Sequence, residues 1–342
     1  MIKEAIEKVV NGNCLSFSEA AEVMEEVMSG TATPAQIAAF ITVLRLKGET
    51  VAEISALASV MRAKAIPVKV APPLVDTCGL GGDNSQTFNI STAAALVAAG
   101  SGLRVAKHGN RAMSSRCGSA DVLEALGVKT DLGAEGVAEC IERVGIGFML
   151  APIFHPAWRF VAVPRREIGI RTVFNILGPL TNPARPEFQV IGVPALELGK
   201  KIALVLHRLG TRHALVVHGS GGLDEISITD KSLVWEVKES GVLPPYEVSP
   251  QEFGFKEASL AEIQGGTPQD NAQILRRILS GERGPKRDVV IMNAAAALVV
   301  GKKARELTEG ARLAEEVIDH GKALEKLNAL VKVSQNLHQG VT

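Results

Sequence analysis

The sequence predicts an α/β protein in two parts: a small all-helical N-terminal domain, and a larger domain with a mostly parallel central sheet flanked by helices. Three observations lead there. The first 66 residues carry helix-start signals and no strand signal. From residue 74 to residue 218, short apolar strands alternate with helical stretches, the pattern of a parallel sheet. Several of those strands run straight into glycine-rich turns, and parallel sheets bind ligands beyond the carboxyl ends of their strands.

In the helical start, Ser16-x-x-Glu19, Thr33-Pro34-x-Gln36 and Thr50-x-x-Glu53 form three capping boxes in a row. Pro34 suits a first helical position. Apolar residues follow at helical spacing: Ile37, Phe40, Ile41 and Leu44, then Ile54, Leu57, Val60 and Met61. Gly30 and Gly48 read as stops. The pattern changes near Ile66-Pro67, and Pro72-Pro73 opens the alternating part. Strands are expected at Leu74–Asp76, Leu103–Lys107, Gly147–Leu150, Gln189–Val193 and Ala214–His218. Helices are expected at Ser91–Ala99, Ser119–Leu126, Glu135–Val144 and Leu196–Leu209. Val234–Val237 and Tyr246–Val248 read as an antiparallel hairpin or edge addition. The tail beyond Thr267 returns to helices, with one more apolar strand expected at Val289–Met292.

Composition excludes several classes. Lys plus Arg and Asp plus Glu are both 37, so the basic footprint of a nucleic-acid binder is missing. Aromatic residues are 4% of the 342, too few for base-stacking platforms. Cys14, Cys78, Cys117 and Cys140 are far apart, with no C-x-x-C pair, which suits reduced thiols in a cytoplasmic protein. No apolar run approaches the ~18 residues of a membrane span. The charged N-terminus does not read as a signal peptide.

The first strand runs into Gly79-Leu80-Gly81-Gly82-Asp83, a turn that lets the backbone approach a ligand closely. Thr87-Phe88-Asn89-Ile90-Ser91-Thr92 then opens a helix, whose free N–H groups favour an anion. The dinucleotide and P-loop signatures both fail here, at Asn84 and at Gly82-Asp83-Asn84. The second strand ends in Lys107-His108-Gly109-Asn110-Arg111 and continues through Ser114-Ser115 and Gly118-Ser119-Ala120-Asp121. Two cations and several hydroxyls on one loop suit a polyphosphate. After a later strand, Gly219–Gly222 leads into Asp224-Glu225, hard oxygen donors of the kind that hold Mg²⁺ together with phosphates. Arg165 and Arg166 precede Arg171-Thr172-Val173-Phe174-Asn175 and Gly178–Pro183, and an arginine fork can read a carboxylate. Taken singly, these segments also read as a tight turn, a solvated charged loop, an acidic surface turn and solvated helix arginines.

Together and in this order, the segments resemble the anthranilate phosphoribosyltransferase family. The likeness runs through Gly79–Asp83, Asn89–Thr92, Lys107–Arg111, Gly118–Gly127, Arg171–Pro183 and Gly222–Glu225. Gly265-Gly266, Asn271 and Asn293 belong to it as well. The resemblance implies a helical domain at 1–70 that also receives helices from about 155–185, and an α/β domain at 71–342. It implies hinge segments near Ile66–Pro73 and Arg165–Pro183, and a homodimer associating through the helical domain. It implies transfer of the phosphoribosyl group of phosphoribosyl pyrophosphate (PRPP) to anthranilate, with Mg²⁺. By motif match, Gly79, Gly82, Asp83, Thr87, Asn89, Ser91, Thr92, Lys107, Ser115 and Ser119 are expected to bind PRPP. Gly79, His108, Asn110 and Arg165 are expected to face anthranilate, and Ser91, Asp224 and Glu225 to serve the metal. No proton-transfer residue is assigned. The family usually carries Thr where this chain has Leu80. If Leu80 faces the ligand, affinity or acceptor preference differs; if it faces the sheet, little changes. Two other readings are a pyrimidine nucleoside phosphorylase, which fits Lys107–Arg111 and Arg171–Pro183 poorly, and a non-enzymatic nucleic-acid-binding relative, which the neutral balance disfavours.

Overall fold

The computed structural model describes residues 1–112 and 116–339. It opens with α1 (Ile2–Val10), α2 (Phe17–Ser29), α3 (Pro34–Lys47) and α4 (Val51–Lys64). All three capping boxes form. At the first, Glu19 N–H donates to Ser16 Oγ at 3.2 Å, and Ser16 N–H donates to Glu19 Oε2 at 2.7 Å. Gly30 ends α2 in the left-handed region.

The second part begins at β1 (Val75–Gly79), followed by α5 (Ile90–Gly100), β2 (Val105–Gly109), α6 (Ser119–Ala125), α7 (Ala134–Val144) and β3 (Ile146–Leu150). The chain then crosses back to the bundle through the short α8 (Ala151–Phe154), α9 (Arg159–Ile168) and α10 (Val173–Leu180). It returns as β4 (Phe188–Gly192), α11 (Leu196–Arg208), β5 (His213–Gly219), β6 (Ser232–Lys238), β7 (Gly241–Val242) and β8 (Tyr246–Val248). Four helices finish it: α12 (Pro268–Leu279), α13 (Pro285–Val300), α14 (Leu307–Asp319) and α15 (Lys322–Gln339).

The sheet order is β3-β2-β1-β4-β5-β6-β7, with β8 also on β6. Strands β1 to β5 are parallel; β6 runs antiparallel to β5, and β7 and β8 antiparallel to β6. From β1 the chain winds first to β2 and β3 on one side, then to β4 and β5 on the other. The crevice at that reversal is where such sheets take ligands.

The fold class matches the sequence expectation, and each of the five expected parallel strands is present within about three residues of its expected limits. One element differs. Val289–Met292 is not a strand but lies within α13, and Asn293 is on the same helix. A short apolar run cannot distinguish a strand from a helix that is buried all round. Here Val289 to Leu298 are all buried, so α13 shows no polar stripe to reveal its period.

Both faces of the sheet are covered. Leu215 and Val217 of β5 pack with α5 and α13, whereas Ala214 and Val216 join the cluster formed by α1–α4, α9–α11 and their neighbours. Within the bundle, Glu53 is fully buried and fully used. Leu15 N–H donates to its Oε1 at 2.9 Å, Thr50 N–H to its Oε2 at 2.7 Å, and Lys47 Nζ to Oε2 at 2.9 Å. Burial alone would raise this carboxyl, but the two N–H donors and Lys47 hold it below the usual range. Removing the carboxylate strands Lys47 and two amides. Glu53→Ala should therefore cost about 3–5 kcal/mol of unfolding free energy, measured by urea denaturation; a loss under about 1 kcal/mol would contradict this account.

Candidate active site

The turns beyond β1, β2 and β5 enclose one cavity of about 380 Å³, closed on the other side by α8–α10. Its floor rests on glycine. Gly79 and Gly192 are register partners at the carboxyl ends of β1 and β4. A Cβ on Gly79 would collide with Asp224 Oδ2, and one on Gly192 with the Asp224 carbonyl. The two strands thus leave a slot that Asp224 fills. Gly109 at the end of β2 makes equivalent room for Ser119.

Asp224 Oδ2 accepts the Gly81 N–H at 2.6 Å, and Glu225 Oε1 accepts the Ser91 N–H at 3.1 Å. The N-terminus of α5 therefore already faces a carboxylate. Burial, then the charge of Asp83, raises the Asp224 carboxyl; burial, then the charge of Asp224, raises that of Glu225, and Lys107 opposes the rise. From behind, Asn293 grips the next residue: its Oδ1 accepts the Ile226 N–H at 2.8 Å and its Nδ2 donates to the Ile226 carbonyl at 3.0 Å. Lys107 is buried, with Nζ donating to the Thr77 carbonyl at 2.6 Å and lying 3.5 Å from Ser91 Oγ.

Asn89, at the N-cap of α5, uses its side chain elsewhere. Its Nδ2 donates to the Cys117 carbonyl at 3.1 Å, and its Oδ1 accepts from Asn271 at 2.9 Å; Asn271 also accepts the Gly266 N–H at 2.8 Å. Asp83 accepts from Ser85 N–H and Oγ, and Thr87 bridges to Gln264. Ser119 Oγ donates to the Asn110 carbonyl at 3.3 Å.

The opposite end of the cavity is apolar and cationic. The Arg165 guanidinium lies 4.6 Å from the Trp158 ring centroid and 5.7 Å from that of Phe174, and burial lowers its pKa to about 10. Trp158 and Phe174 meet edge to face at 5.5 Å. His108 Nδ1 faces the Gly178 carbonyl at 3.2 Å. Because a carbonyl only accepts, the neutral ring carries its proton on Nδ1. His108 Nε2 and His155 Nε2 are buried without a partner, and the two rings are 5.2 Å apart. Burial first pushes His108 down to about 3, with the neighbouring His155 adding to it, and burial pushes His155 down to about 4.

Gly79, Gly82, Asp83, Thr87, Asn89, Ser91, Thr92, Lys107, His108, Asn110, Ser119, Arg165, Asp224 and Glu225 all line this cavity. Ser115 lies outside the described residues. Arg111 lines it too, and both nitrogens of its guanidinium donate to Glu124 at 2.6 Å. Leu80 is 7% exposed and packs in the bundle-side apolar cluster, though it also reaches the cavity wall. Sequence reasoning missed His155 and Trp158, and gave Arg171 no role. One signal was available: Trp158 and Arg165 are seven residues apart, two helical turns, hence on one face.

The arrangement can hold an anionic group with a cation at one end and a flat, carboxylate-bearing molecule at the other. Known proteins resemble this chain over nearly its whole length. Residues 3–65 match the glycosyl transferase family, helical bundle domain, and residues 71–324 match the glycosyl transferase family, a/b domain. The anthranilate phosphoribosyltransferase of Dehalococcoides mccartyi is 57% identical over 341 residues, covering 99% of this chain and 100% of that protein. That of Chloroflexus aggregans is 58% identical over 335 residues, covering 98% of each. Among solved structures, the Thermus thermophilus enzyme of that name superposes with a TM-score of 0.92 at 46% identity, covering 97% of this chain and 99% of that one. The Saccharomyces cerevisiae enzyme in complex with PRPP and Mg gives 0.91 at 28% identity, covering 98% of each.

The two buried histidines impose a pH dependence. Both take a proton less readily folded than unfolded, where the value is 6.5. Below about 6.5 the unfolded chain binds protons that the folded one refuses, so stability falls as pH drops, by up to ~1.4 kcal/mol per pH unit per histidine. His108→Gln and His155→Gln should each flatten this slope between about pH 6.5 and about pH 4.5 in urea denaturation; unchanged slopes would exclude the assignment.

Proposed function

This chain belongs to the anthranilate phosphoribosyltransferase family, and on that premise we propose that it transfers the 5-phosphoribosyl group of PRPP to the amine of anthranilate. The products are N-(5-phosphoribosyl)anthranilate and pyrophosphate, the second step from chorismate to tryptophan. The observation that carries this reading is the union, in one cavity, of a carboxylate-and-lysine end with an arginine stacked on two aromatic rings.

The residues fit Mg²⁺. Two adjacent carboxylates, Asp224 buried and Glu225 partly so, each raised by desolvation and by negative neighbours, call for positive charge. Asp224, Glu225 and the Ser91 hydroxyl would hold such a cation together with phosphate oxygens, the hard donors that Mg²⁺ commonly takes. When bound, it neutralises the charge that develops on the leaving diphosphate.

The chain's own residues supply the rest. The bond from ribose C1 to the diphosphate oxygen breaks, with its electron pair leaving on the pyrophosphate. The anthranilate nitrogen lone pair forms the new bond to C1 and then releases one proton. Lys107, beneath the start of α5, favours the departing anion, and the Gly79–Asp83, Asn89–Thr92 and Ser119 turns present donors to it. Arg165 and Asn110 hold the acceptor carboxylate and ring, with Trp158 and Phe174 keeping the guanidinium in place. An aromatic amine is uncharged near neutral pH, so no strong base is needed to start the attack.

The division into a bundle at 1–70, with helices from about 155–185, and an α/β part at 71–342 is part of this reading. Val161, Val173 and Phe174 packing with the bundle supports it. So is a homodimer through the bundle, supported by the apolar exposure of Val10 on α1, Leu46 on α3 and Val163 on α9, where α3 packs against both α1 and α9 and Leu46 is 80% exposed. A cytoplasmic setting is supported by the four free cysteines.

Wild-type protein should consume anthranilate fluorescence only when PRPP and Mg²⁺ are both present. Lys107→Ala and the pair Asp224→Ala with Glu225→Ala should each cut turnover by about 10²-fold or more; near-normal rates would refute these roles. Separately, Leu46→Asp should shift sedimentation from dimer to monomer, and a wild type that sediments as a monomer would remove the dimer.

A further inference from the structure

The segment between α9 and α10 places Arg171 on the glycine turn, ninety residues earlier in the chain. Its Nη2 donates to the Gly81 carbonyl at 2.8 Å and lies 3.4 Å from the Leu80 carbonyl. The guanidinium is pressed so closely on Gly82 that a Cβ there would collide with Nη1. Gly81 is thus held on both of its peptide groups: its N–H by Asp224, its carbonyl by Arg171. Gly81 and Gly82 both have left-handed φ, +66° and +78°. Two successive residues in that region present their N–H groups on one side of the turn, provided something fixes the carbonyls on the other.

The electrostatics show what kind of contact this is. Arg171 is exposed, and among the described residues no carboxylate pairs with it directly. Burial lowers its pKa, the charges of Asp224 and Asp83 raise it, and that of Arg45 lowers it. A guanidinium that spends its hydrogen bonds on two carbonyls fixes geometry rather than neutralising a partner. Its chain position adds the second half. Arg171 lies between the left-handed cap Gly169 and the N-cap Thr172, on the same crossing segment as Arg165 and ahead of the bundle-packed Val173 and Phe174.

We infer that Arg171 is a positioning residue for the donor: it holds the Gly79–Asp83 turn in the shape that receives the diphosphate, and ties that turn to the helices that carry the acceptor site. The inference rests on the transferase reading above. The acceptor end keeps its own aromatic and cationic contacts without Arg171, so the donor alone should suffer when it is removed.

The test compares Arg171→Met and Arg171→Lys with wild type, by calorimetric titration with PRPP and Mg²⁺ and by steady-state kinetics. Arg171→Met should raise both the Kd and the KM for PRPP about tenfold or more, since a charged hydrogen bond is lost. KM for anthranilate should stay within about threefold. Arg171→Lys, able to reach one carbonyl, should recover part of the loss. An unchanged donor Kd in Arg171→Met overturns the inference. So does a joint loss of both substrates' affinities with a fall in Tm in both variants, because that marks a merely structural residue. Wild-type protein that neither binds PRPP nor consumes anthranilate would instead remove the transferase reading, whatever the variants do.

Discussion

Everything at the site depends on a slot between two strands. Gly79 and Gly192 face each other across β1 and β4, and Asp224 occupies the volume that two side chains would have filled. From there three consecutive residues fasten three separate parts of the protein. Asp224 holds the glycine turn through Gly81, Glu225 holds the start of α5 through Ser91, and Ile226 is held by Asn293 of α13. The cost is two neighbouring carboxylates in a place poor in water, which is tolerable only with compensating donors and positive charge. Lys107, buried close by, is one source of positive charge, and a bound cation, as proposed above, would be the other.

Much of this was legible in the sequence because it is local. Capping boxes, strand–helix alternation and glycine turns each involve residues a few positions apart, and the order of the motifs pointed to the family. What was not legible concerns longer reach. Val289–Met292 looked like a strand because a helix buried on all sides has no polar stripe. The pairing of Arg111 with Glu124, thirteen residues on and in the following helix, is not visible in the loop's own sequence. Arg171 meets its partners ninety residues away, and His155 and Trp158 matter only because the chain folds back over the sheet. Leu80 is a further case. The sequence left open whether it faces the ligand or the sheet; the fold packs that side chain in the bundle-side core, at the cavity wall.

The two ends of the cavity are built by different physics. At the anion end, geometry comes from hydrogen bonds to backbone groups, which are rigid and closely spaced. At the acceptor end it comes from stacking, with Trp158 and Phe174 flanking Arg165, and from His108 and His155, which burial keeps uncharged. Neutral rings do not repel one another, and the charge of Arg165 is the one proposed above to meet the acceptor's carboxylate.

Asn293 gives the cavity an asymmetry. It projects from a helix whose residues are almost all sealed in the core, so the wall carrying Asp224 and Glu225 loosens only when the whole domain does. The facing wall is carried by the crossing helices α8–α10, where Phe154, Val161 and Val173 are buried as well. The anion end of the cavity therefore keeps its shape for as long as the domain stays folded, whether or not it is occupied.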